Sequence, residues 1–84
     1  MFNAINLVQR IPKEIFDQEF VQFLGCTIEF SKLRCGLEDT LNETEVQTIL
    51  TSYRKLGLPT KNLTMQEIVQ IGYALTMRAI TARS

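Results

Sequence analysis

The chain is 84 residues long, 45% hydrophobic and 21% charged, with nine basic and nine acidic residues, four Gly, two Pro and no His. That length makes a single domain, 1–84, near the small end of what folds unaided, and the composition excludes a disordered tail. The missing histidine removes His-based nucleophilic triads, most zinc catalysis and the usual proton shuttle near neutral pH.

In chain order, Asn3 is placed to cap a short helix running through Arg10, and Pro12 displaces Ile11 from helical geometry. Pro12 itself suits the first turn of a second helix. From there Phe16, Phe20, Phe23, Thr27, Phe30, Arg34, Leu37 and Leu41 alternate in steps of four and three, with two of the eight positions polar. This spacing favours a helix continuing to Gly36. The rival reading stops the helix at Gly25 and makes CTIEFSKLRC a strand, which its β-branched residues permit. A single strand is unstable alone, so that version needs a sheet shared between two copies.

Cys26 and Cys35 lie nine residues apart. On one helix they would be about 13–14 Å apart along the axis and half a turn out of phase. A disulfide needs Cα atoms within about 7 Å. Both are therefore expected as reduced, buried thiols used in packing.

The acidic run LEDTLNETE invites comparison with a calcium loop. Counted from Asp39, position three is Leu41, position six is Thr44 and position twelve is Leu50, where an EF-hand needs a ligand, a glycine and a bidentate Glu. The run reads instead as the acidic entrance to a helix over 43–56. A capping box is available from Asn42 with Glu45 or from Thr40 with Glu43. Glu43 and Glu45 at its start and Arg54 and Lys55 at its end suit the helix dipole. Val46, Ile49, Leu50, Tyr53 and Leu56 form one apolar stripe. Gly57 then supplies a left-handed stop, Leu58 folds back on the last turn and Pro59 forbids continuation.

The last helix starts at Thr64, with Glu67 as its capping partner, and runs to about residue 82. On a helical wheel its polar residues Gln66, Glu67, Gln70, Arg78 and Thr81 occupy about 120°. Apolar and small residues, including Met65, Ile68, Gly72, Tyr73, Leu75, Ala79 and Ile80, fill about 200°, more than one neighbouring helix covers. Gly72, Thr76 and Ala79 near the middle of that arc allow close approach of another helix. The segment LGLPTKNLTMQE is thus a corner turning an outer helix into a core or interface helix.

Neither a Gly-rich nucleotide loop nor a P-loop occurs, and the carboxylate pairs have no base or oxyanion donor beside them. An enzyme is not expected, and no cofactor or metal is implied. The first ten residues lack a basic stretch followed by an apolar run, so no secretory signal is expected. The uncharged stretch IVQIGYALTM is half a membrane span. A cytoplasmic protein without a membrane follows. Asn42 and Asn62 fit the glycosylation pattern, but their role as helix-start residues explains them better.

Charge is unevenly placed. Residues 1–50 carry four basic and eight acidic side chains, and residues 51–84 carry five and one. Such separation suits internal packing or head-to-tail pairing of copies. The expected fold is all-α, a small bundle of three to four helices, with a homodimer expected. The expected function is a non-catalytic protein-interaction module, an adaptor, inhibitor or regulator, acting through an apolar helical surface. Its candidate interface is Phe16, Phe20, Phe23, Ile68, Gly72, Leu75 and Ala79, and its partners are itself and another protein. The alternative is a dimeric DNA-binding regulator using the basic C-terminal half, which also holds Arg83, with Arg54, Lys55, Lys61 and Arg78 as candidate contacts. Against it stand a seven-residue gap where a helix-turn-helix has three or four, and a pI near 6.2.

Overall fold

In the computed structural model, residues 2–83 are described, and among them there is no strand. The α-helices are α1 (Ala4–Gln9), α2 (Lys13–Phe16), α3 (Ile28–Arg34), α4 (Glu43–Lys55) and α5 (Met65–Arg83). A π-helical turn, Asp17–Val21, extends α2, and short 3-10 turns lie at Leu24–Cys26 and Glu38–Thr40. The all-α class expected from the sequence is what forms.

Both C-terminal helices begin at their capping residues, and α4 also ends at one. The Asn42 side chain accepts from the Glu45 amide at 2.8 Å, and the Glu45 carboxylate accepts from the Asn42 amide at 3.0 Å. At the other end Gly57 takes φ +85°, which only glycine adopts cheaply. The Leu58 and Gly57 amides then donate to the carbonyls of Tyr53 and Arg54, a Schellman pair. Leu58 is thereby folded into the core. Thr64 and Glu67 make the same reciprocal pair of bonds before α5, at 2.9 and 3.1 Å.

The segment between Pro12 and Gly36 departs from expectation. It is not one helix, and residues 28–34 are α-helix rather than strand. The helical run ends at Val21, with Gln22 as its C-cap. Phe23 sits at φ −125°, ψ −65°, and Thr27 is extended. The cause is local competition by a threonine hydroxyl. Thr27 Oγ1 donates to the Leu24 carbonyl at 3.1 Å and accepts from the Phe30 amide at 3.1 Å, so Thr27 starts a new helix. The break redirects the apolar seam. Phe16, Phe20 and Phe30 turn inward, with ring centroids 5.0 Å apart for Phe16–Phe20 and 5.2 Å for Phe20–Phe30. Phe23 and Leu37, expected on that seam, are exposed.

The break also overturns the expected burial of the cysteines. Cys26 ends the 3-10 turn and Cys35 caps α3, so both lie at helix ends facing solvent, and both are free thiols.

The core is where α1, α3 and α4 meet α5 and the α2 segment. Val8, Phe16, Phe30, Leu33, Ile49, Tyr53, Ile71 and Leu75 are all within 1% of complete burial. Gly72 sits at a close crossing: a Cβ there would lie 2.6 Å from Leu33 Cδ2 and 3.2 Å from the Tyr53 hydroxyl. The Tyr53 hydroxyl donates to the Ile68 carbonyl at 3.0 Å, and burial pushes its phenol far above the ordinary range.

Candidate interaction surface

The seven residues singled out as a candidate interface divide sharply. Phe16, Phe20, Ile68, Gly72 and Leu75 are buried within the single chain, and Ala79 is partly covered against the core. Inside the protomer they cannot present a surface to a partner. Phe23 alone is open, at 56%. It stands over a shallow cleft with Glu19, Ser52 and Lys55.

Of the basic residues, Arg54, Lys55 and Lys61 are exposed around the α4–α5 corner. The Arg83 side chain lies outside the described residues. Arg78 is committed internally. Its Nη1 donates to the carbonyls of Val8 at 2.7 Å and Ile11 at 2.8 Å, and its guanidinium lies 4.3 Å from the centre of the Phe16 ring. The Val8 carbonyl lies in the last turn of α1, where it also accepts from the Ile11 amide, and the Ile11 carbonyl lies just past the helix end. A guanidinium satisfies them and adds a cation–π contact. Its Nη1 is thus engaged within the fold.

That staple decides which face of α5 meets water. It holds α1 along the edge of α5 that carries Ala74 and Arg78, an edge that includes part of the expected polar arc. The outward face is then Gln66, Gln70, Tyr73, Met77 and Ile80, turned about 60° from the polar arc on the helical wheel. Tyr73 is 44% exposed and Met77 61%. Beside them Ile5 of α1 is 53% exposed, and the three share an open groove of about 290 Å³ with Phe2, Ala74 and Gln70. None of the side chains lining this groove is charged. Ile5 and Met77 were not singled out from the sequence. On the helical wheel Tyr73 and Ile80 stand at the edge of the over-wide apolar arc, while Met77 lies just beyond it, between Gln66 and Gln70 in the polar arc. No local pattern says which edge of the apolar arc α1 leaves uncovered.

The remaining chemistry is sparse. Among the described residues no three His, Cys, Asp or Glu side chains gather as a metal-binding group. None of their helices is long and apolar enough to cross a membrane. Lys32 pairs with the capping carboxylate of Glu45 at 3.0 Å, tying α3 to α4. The Glu45 carboxyl is held below its ordinary value, first by the Asn42 amide and then by Lys32. This is a structural contact rather than a reactive one. The chain matches no protein-family model, no curated protein and no solved structure.

Proposed function

We propose that this is a small non-catalytic interaction module, an adaptor, inhibitor or regulator, that works through the apolar face shared by α1 and α5. The observation that carries the reading is the half-exposed trio Ile5, Tyr73 and Met77 on two packed helices, with no charge among the side chains lining their groove. A contiguous apolar surface on a rigid element is what a partner helix or loop docks against. Tyr and Met are also among the residues enriched at contact surfaces. Two exposed free thiols fit work in a reducing compartment, the cytoplasm.

A photo-crosslinking amino acid at position 77, compared with one at Gln47 on the outer face of α4, tests this in living cells. The reading expects protein adducts from position 77 and none from position 47. No adducts from position 77, or the same adducts from both, would overturn it.

A further inference from the structure

We infer that the partner of the α1–α5 face is a second copy of the chain, the two α5 helices lying antiparallel about a two-fold axis between Tyr73 and Met77. The inference rests on the proposed use of that face and specifies its occupant.

Charge comes first. A two-fold interface sets a surface against itself, so a charged residue near the axis meets its like at short range. The side chains lining the α1–α5 groove have no formal charge. Arg78 lines the adjoining groove with Ile5, Ala74 and Met77, where its Nη1 is bonded to the carbonyls of Val8 and Ile11. Antiparallel α5 helices also oppose their dipoles favourably.

Register comes second. Tyr73 and Met77 are one turn apart on the exposed stripe, about 6 Å along the axis. An axis midway between them puts the Tyr73 ring of each copy against the Met77 thioether of the other, a favourable sulfur–aromatic pair. Ile5, on the α1 flank, then approaches its own counterpart, so α1 and α5 of each copy form one layer of a four-helix contact.

Area sets the strength. The outward face of α5 is about 28 Å long and about 10 Å wide, and α1 widens it over about a third of that length. The footprint is on the order of 400 Å² per copy, or roughly 800 Å² in all, below stable complexes and in the range of weak, transient encounters. The pairing is therefore a weak, exchanging dimer.

The test is the solution mass by sedimentation equilibrium from micromolar to millimolar concentration, for the wild type, Met77→Glu and the control Gln47→Glu. Circular dichroism checks that each variant is folded. The expected result is a mass rising from 9.6 kDa toward twice that value in the wild type and control, with Met77→Glu fixed at the monomer. If Met77→Glu fails to fold, Tyr73→Ser serves in its place, with the same expectation. A wild type that stays monomeric at millimolar concentration overturns the inference, as does a dimer that persists in the folded variants. A monomer that still gives adducts to another protein from position 77 removes the self-pairing and leaves the interaction reading standing. Loss of every adduct removes both.

Discussion

Single residues here do work that neighbours cannot share. Gly72 faces Leu33 of α3 and Tyr53 of α4 at close range, and an added Cβ would force the fully buried Leu33 methyl to shift. Gly72→Ala should lower stability by about 1–3 kcal/mol, the usual cost of overpacking a filled core, read as a shift in the urea midpoint. The small size of residue 72 was legible in the sequence as a sign of close approach. That it is Leu33 and the Tyr53 hydroxyl that approach was not, because both lie distant in the chain. Glu45 gives a prediction in pH. Its carboxyl is held below its ordinary value in the folded state, so its contribution is complete above that value, near pH 4.5, and fades as pH falls through the lowered one. Glu45→Gln should therefore be less stable than wild type at pH 7 and close to it at strongly acid pH. Urea midpoints at pH 7 and pH 3 measure the difference; equal losses at both would contradict the assignment.

Among the elements, α4 and α5 were readable almost to the residue because their boundaries are written in local chemistry: Asn42 with Glu45, Gly57 ahead of Pro59, Thr64 with Glu67. The stretch from Pro12 to Gly36 was not, since its four-and-three spacing fits an unbroken helix as well as the broken one observed. The decision lies with Thr27, whose hydroxyl serves both the turn before it and the helix after it. Thr27→Ala should cost on the order of 1 kcal/mol as a lost N-cap. Hydrogen exchange should show the loss first at the amides of Phe30 and Thr27 itself. Protection unchanged in α3 would mean that the cap does not hold the break in place.

For the molecule as a whole, the outward face of α5 is set by contacts that no local pattern encodes. The bond from Arg78 to Val8 spans 70 residues. It ties a C-terminal guanidinium to the end of the first helix and leaves Tyr73, Met77 and Ile80 toward water. The sequence shows an over-wide apolar arc on the last helix. Only the packed chain shows that Ile68, Gly72 and Leu75 belong to the core, while Tyr73 and Ile80 at the edge of the arc, and Met77 beside it, are surplus to the fold. That division is the central claim, and comparing Leu75→Ala with Met77→Ser by urea denaturation at a dilution where the chain is monomeric tests it most directly. Leu75, fully buried, should lose about 2–5 kcal/mol. Met77→Ser should stay within about 0.5 kcal/mol of wild type, as for a surface site. A loss of several kcal/mol at Met77 would mean that this face holds the single chain together, and would contradict its role as a contact surface.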